Sequence, residues 1–244
     1  MPDQAWNPQR VLLTGASSGI GAALATALAA PGRRLDLGGR DTARLEAVAE
    51  RCRAAGAEVA AVALDLRDAE ALGAWIAGLP PPDLLIANAG ISGPAGSADI
   101  VAVNLQAAIG TVEAALPGLR PGAQIALISS LAGFNGMASA PVYCATKAAV
   151  RFYGEALRVR LRPRGIAVSI VCPGFVATPM TERNPFPMPL LMPPDEAARR
   201  ILHGLARRRP LIAFPRRLHW AARLMAALPR AISDRMQARI PSKE

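Results

Sequence analysis

Apolar residues in this chain follow two rhythms. Short runs that are apolar at nearly every position, at 11–13, 35–38, 59–64, 84–87, 125–129, 167–171 and 211–213, read as strands buried on both faces. Between them, residues 22–30, 42–55, 69–78, 99–116, 142–161 and 195–208 combine helical spacing with strong helix formers. Because strand and helix alternate, the pattern predicts an α/β protein. It is a Rossmann-type, doubly wound parallel sheet of about seven strands with helices on both faces. In such a sheet ligands bind at the carboxyl ends of the strands, so the residues just after each apolar run carry the interest. The chain shows no repeat, low-complexity tract or linker.

A different pattern begins after Phe214-Pro215. Leu218, Ala221, Met225, Leu228, Ile232 and Met236 recur every three or four positions, and Arg216, Arg223 and Arg230 recur every seven. Each arginine precedes an apolar residue by two positions, ~200° around a helix, which sets the two stripes on opposite faces. The chain therefore divides into a domain at 1–214 and a basic amphipathic helical extension at 215–244, which Pro229 splits into two helices. Two readings stand for the extension. Its apolar face packs on the domain or on a second subunit with the arginines solvated, or it makes a peripheral contact with an anionic membrane.

Composition narrows the class. With 244 residues, 52% of them apolar and 19% charged, the chain can bury one large core. Residues 199–244 hold eleven arginines and Lys243 against Asp234 and Glu244, a net +10, and this is the whole of the formal charge. Residues 1–198 are neutral, which argues against a broad nucleic-acid-binding surface. The uncharged stretch 11–32 has the length of a membrane span or the core of a signal peptide, but Gly15, Gly19 and Gly21 interrupt it and make it a turn. Cys52, Cys144 and Cys172 are odd in number and lack metal-type spacing, which points to a reducing, cytoplasmic setting without a disulfide framework or a metal site. Cys144 reads as a small buried helix residue or as a reactive thiol.

Chemistry gathers where the strands end. After Val11-Leu12-Leu13 comes Thr14-Gly15-Ala16-Ser17-Ser18-Gly19-Ile20-Gly21, a glycine-rich loop opening a helix; its backbone can approach a pyrophosphate, and the helix N-terminus stabilises the charge. Arg40 follows the second strand, where a cation accepts the extra phosphate of NADP, so NADP(H) is favoured over NAD(H); the plainer reading is a solvated neighbour of a helix cap. Asp65, with Leu66 beside it, follows the third strand and meets the adenine edge or caps the next helix. Asn88, Ala89 and Gly90 end the fourth strand and brace the sheet near the cofactor. Ser130 ends the fifth, thirteen residues before Tyr143. Tyr143 and Lys147 are i and i+4 in the helix after Pro141, so both side chains leave one face toward one target. A neighbouring ammonium favours a phenolate, which would bring Tyr143 toward the range of a general acid/base while Ser130 holds a carbonyl or hydroxyl oxygen.

Together with Asn104 and with Pro173, Gly174 and Thr178, these residues resemble the classical short-chain dehydrogenase/reductase family from about Arg10 to Met180. The resemblance implies that Tyr143 is the acid/base, that Ser130 positions the reacting oxygen, and that Lys147 contacts the nicotinamide ribose and lowers the tyrosine's pKa. It also implies that Asn104 holds a water in a proton relay and that Pro173, Gly174 and Thr178 flank the nicotinamide. A homodimer or homotetramer, paired through the helices at 99–116 and 142–161, is expected. The resemblance implies a small carbonyl or alcohol compound as substrate, and an NADP preference in this family implies work as a reductase. The other function class left open is a dinucleotide-binding interaction protein with little turnover.

Two departures from the family pattern carry weight. Asn88 and Asn104 are sixteen residues apart, a short segment that leaves the mouth of the pocket open. The loop from Pro179 to Pro194 holds Pro185, Pro187, Pro189, Pro193 and Pro194 among apolar residues, so it is extended or turned rather than helical. It is either an apolar lid over a hydrophobic ketone or a stiff loop packed on the domain or a partner.

Overall fold

The computed structural model describes residues 6–235 apart from 94, 183, 185, 186, 230, 231 and 234. Seven strands form one sheet: β1 Arg10–Thr14, β2 Arg34–Gly39, β3 Glu58–Ala63, β4 Leu84–Ala87, β5 Gln124–Ile128, β6 Ala167–Pro173 and β7 Leu211–Phe214. Their order is β3-β2-β1-β4-β5-β6-β7 and every pairing is parallel. Chain order reverses between β1 and β4, so the crevice for a ligand opens at the carboxyl ends of those two strands.

The side-chain alternation of β1 shows how one strand serves two cores. Val11 and Leu13 face a cluster with Leu24, Leu28, Leu45, Val48, Ile201 and Leu205, carried by α1 (Gly19–Leu28), α2 (Thr42–Ala54) and α7 (Pro194–Ala206). Leu12 faces the opposite cluster with Leu72, Ile76, Val112, Val150 and Leu157, carried by α3 (Ala69–Ala77), α5 (Ala107–Ala115) and α6 (Pro141–Leu161). Both faces are covered, which is why the strands read as continuous apolar runs. Helix starts follow local chemistry: Asp41 accepts from Arg44 N at the head of α2, Asp68 accepts from Ala71 N at the head of α3, and α6 opens on Pro141.

Two expectations are refined. The helix predicted over 99–116 is broken into α4 (Ser97–Val101), a π-helical turn at Ala102–Gln106 and α5. The inserted turn leaves the 3.6-residue period too little altered to be read from sequence. In the extension, α8 spans Arg216–Ala227 and packs on β7 and on the 3₁₀ turn Leu131–Gly133. Leu218, Ala222 and Met225 are half-buried, whereas Ala221, assigned to the apolar stripe, is exposed. Of the second helix of the extension, residues 232, 233 and 235 are helical, with Ile232, also assigned to the apolar stripe, exposed, while Met236 lies outside the described residues. No helix among the described residues is long and apolar enough to cross a membrane.

Candidate active site

The glycine-rich loop leaves β1 and turns into α1 under β4. Gly15 has φ +69°, and a Cβ there would stand 2.7 Å from Ala89 Cα; a Cβ on Gly21 would stand 2.0 Å from Gly15 O. Only a glycine allows either approach. Asn88 locks the arrangement from the next strand, donating Nδ2 to Thr14 O at 3.1 Å and to Gly15 O at 3.0 Å. Ser18 heads α1 without a side-chain cap, which leaves the first amides of the helix facing the cleft.

One cleft gathers nearly all the residues singled out from the sequence. Gly15, Ser17, Ser18, Gly19, Ile20 and Gly21 line one end, Arg40, Asp65 and Leu66 its flank, Asn88, Ala89 and Gly90 its floor, and Ser130, Tyr143, Lys147, Pro173, Gly174 and Thr178 the other end. Sequence reasoning passed over Arg44, Ile91 and Thr181, which line it too. Arg44 was legible as a second cation four residues after Arg40. Thr181 was not, because its contribution is a hydrogen-bonded turn in which its Oγ1 accepts from Thr178 N and donates to Val176 O.

Asn104 is the exception, because it stands behind the wall of the cleft. It is 1% exposed, and its Oδ1 accepts from Ile91 N at 2.7 Å while Nδ2 donates to Ile91 O and to Thr146 Oγ1. The side chain therefore fixes the short segment after Gly90 to the start of α6.

At the Ser130 end, Ser130 Oγ accepts from Ala132 N and Ser129 Oγ donates to Lys147 O, tying the end of β5 to α6. Lys147 Nζ donates to Ile128 O at 3.0 Å and lies 5.7 Å from the centre of the Tyr143 ring. Burial pushes the Tyr143 phenol above its ordinary pKa, with the Ser130 hydroxyl partly offsetting this. The same burial pulls the Lys147 ammonium down to about 8. Without a bound ligand the lysine thus loses its proton before the tyrosine, and desolvation outweighs the charge that the i, i+4 spacing offers.

At the other end, Asp65 is held by Arg67, which keeps its carboxyl at about 2, and Arg67 also reaches Asp99. Asp41 is engaged by Arg44 at 2.7 Å. Asp36 is buried inside β2 and paired with Arg34 at 3.1 Å, away from the cleft lining. Arg40 is exposed at the cleft edge and makes no ion pair among the described residues.

Beyond Pro173 the wall is looser. Met192 pairs with Val176 and is buried in the core, so this end of the proline-rich loop is packed on the domain, whereas Leu190 and Leu191 are about half exposed. Cys52, Cys144 and Cys172 are free and buried, and no cluster among the described residues could hold a metal ion.

Residues 9–186 match the family model described as short chain dehydrogenase. An uncharacterized oxidoreductase of Myxococcus xanthus (strain DK1622) is 36% identical over 246 residues, 94% of this chain and 96% of that one. The structure of a short-chain dehydrogenase from Sphingobium yanoikuyae in complex with NADPH aligns with a TM-score of 0.78 at 31% identity, over 96% of this chain and 97% of that one. One from Mycobacterium paratuberculosis bound to NAD aligns at 0.72 and 26%, over 84% and 94%. The glycine cradle, the Ser130, Tyr143 and Lys147 end and these matches agree, and the chain belongs to the short-chain dehydrogenase/reductase family of oxidoreductases.

Proposed function

We propose that the protein is an NADP(H)-dependent oxidoreductase that interconverts a small hydrophobic carbonyl compound and its alcohol, with Tyr143 as the acid/base. The observation that carries this is the convergence, in one cleft, of a backbone cradle and the Ser130, Tyr143, Lys147 group. The cleft suits a dinucleotide: no Cβ fits at Gly15 or Gly21, and the uncapped amides at the head of α1 are donors for a pyrophosphate. Gly15, Ser17, Ser18, Gly19, Ile20 and Gly21 would hold the phosphates. Asp65, Leu66, Asn88, Ala89 and Gly90 would line the adenosine and central part, and Pro173, Gly174 and Thr178 the nicotinamide. Support for NADP over NAD comes from Arg40, an exposed cation at the cleft edge that makes no ion pair among the described residues, although Asp41 and Asp65 lie near enough to feel its charge, and from Arg44, which lines the same cleft.

The nicotinamide would supply the hydride; everything else is placement and charge. Ser130 holds the substrate oxygen, and Tyr143 gives it a proton as negative charge grows there, in the reductive direction. Lys147 holds the cofactor ribose and, in its ammonium form, stabilises the phenolate left behind. Asn104 keeps Ile91 and Thr146 in place. A relay water at Asn104, which the family resemblance implies, is not held by its side chain, which is already engaged at both ends. We also infer a homodimer through α5 and α6, since α6 exposes Phe152 and Val159, one apolar stripe two turns long, to 61% and 65%.

The reading is tested by following NADPH consumption against a panel of ketones and aldehydes of increasing apolar bulk. Turnover with at least one is expected. Failure of both NADPH and NADH to shift the melting temperature or to gain fluorescence on mixing would refute it.

A further inference from the structure

The extension presents an apolar face that the repeat in its sequence did not pick out. On α8, Leu218, Ala222 and Met225 turn inward, while Trp220 and Leu224, one turn apart, stand 60% and 66% exposed. In projection down the helix Trp220 and Leu224 point straight away from the domain, with Arg216 and Arg223 on one flank and Arg217 on the other. The Arg223 guanidinium lies 5.5 Å from the centre of the Trp220 ring, so cation and indole share one surface. No acidic residue occurs between Glu196 and Asp234, and arginines continue in the sequence beyond α8. An exposed indole and leucine between arginines suit a surface that is anionic outside and apolar just beneath. The surface of another soluble protein would have to offer both at once.

We propose that α8 seats on an anionic lipid bilayer through Trp220 and Leu224, with Arg216, Arg217 and Arg223 at the lipid phosphates. Its inward face fixes what the bilayer then lies beside. Leu218 packs within 3.4 Å of where a Cβ of Gly174 would be, the His219 ring meets Phe134 at 5.2 Å, and Asn135 Nδ2 donates to Ala222 O at 2.6 Å. The docked helix is therefore the outer support of the substrate end of the cleft, and a carbonyl compound dissolved in the bilayer has a short path to it. This last consequence rests on the oxidoreductase reading, whereas the docking does not.

Flotation of the full chain with vesicles tests the proposal. Binding to equimolar phosphatidylcholine and phosphatidylglycerol is expected to exceed binding to pure phosphatidylcholine by at least roughly tenfold and to weaken with salt. The double variant Trp220→Ser, Leu224→Ser should lose about tenfold or more of that binding at unchanged melting temperature and unchanged NADPH affinity, because neither side chain supports the fold or the cofactor cleft. Arg216→Glu with Arg223→Glu should do the same. Flotation of the double variant like the parent protein, or equal binding to both vesicles, would overturn the proposal. So would a change from dimer to monomer on light scattering of the double variant, since it would mean that a second copy of this chain covers the face.

Discussion

The two walls of the cleft are built differently. The wall made by the glycine-rich loop and Asn88–Gly90 is held backbone against backbone, with no room for a Cβ at Gly15 or Gly21 and with Asn88 bonded to the loop carbonyls. The wall beyond Ser130 and Gly174 is backbone-tight at Gly133, where a Cβ would stand 2.8 Å from Lys147 O, but beyond that it is held mostly by side chains: Asn135 on α8, the His219 ring on Phe134, Leu218 on Gly174 and the Thr181 turn, with the Val176 to Met192 pairing. Gly136, on that side, has nothing within 4 Å of a would-be Cβ. A wall that must fit a fixed ligand tolerates no added atom. A wall that meets the variable part of a reaction can change by one side chain at a time. The difference teaches where to look for specificity: in the loose wall and in the helix that supports it.

The sharpest way to break this contrast is a pair of glycine substitutions. Gly21→Ala places a Cβ 2.0 Å from Gly15 O and 2.6 Å from Asn88 Nδ2. It should cost at least about 3 kcal/mol of stability by denaturant titration, or abolish folding. Gly136→Ala should stay within about 0.5 kcal/mol of the parent. Equal losses would show the two walls to be alike.

Lys147 sharpens the contrast at the point where the walls meet. Its pKa is pulled from 10.5 down to about 8 by burial, so the unfolded chain binds the extra proton more tightly than the folded one. The penalty is full below about pH 8 and fades as pH rises toward 10.5. Lys147→Met should therefore raise the stability of the ligand-free protein at neutral pH by on the order of 2 to 3 kcal/mol, while turnover collapses. The stability gap should narrow above pH 8; a gap independent of pH would mean that the lysine is not strained by burial.

Arg40 gives the next smaller effect, at the edge of the rigid wall. Arg40→Ala should weaken NADPH binding about tenfold to a hundredfold and NADH by no more than about threefold, read by fluorescence titration. Equal losses would remove the argument for NADP.

Much of this was legible in the sequence, for identifiable reasons. Strands covered on both faces are mostly apolar, so the sheet could be read directly from runs such as Leu84–Ala87, even though β2 buries Asp36. Glycines that permit a backbone contact and a Tyr143, Lys147 pair on one helix face are local features, and local spacing reports them. The rest depends on what comes near in space. Periodicity marks α8 as amphipathic, but a helix with apolar residues on two faces gives no sign of which is turned inward; the domain took Leu218 and Met225 and left Trp220 and Leu224 outside. Nor could spacing show that Asn104 would be consumed by Ile91 and Thr146. The effect of burial on Tyr143 and Lys147 was hidden for the same reason, since a sequence carries no dielectric.

The central claim is that Tyr143 passes a proton to an oxygen held by Ser130 beside the bound cofactor. Tyr143→Phe, measured against the parent for NADPH consumption with the best substrate of the panel and for NADPH affinity by fluorescence, tests it most directly. The account predicts a fall in kcat of at least about a hundredfold with cofactor affinity kept within a few fold. Turnover that survives the substitution would contradict it.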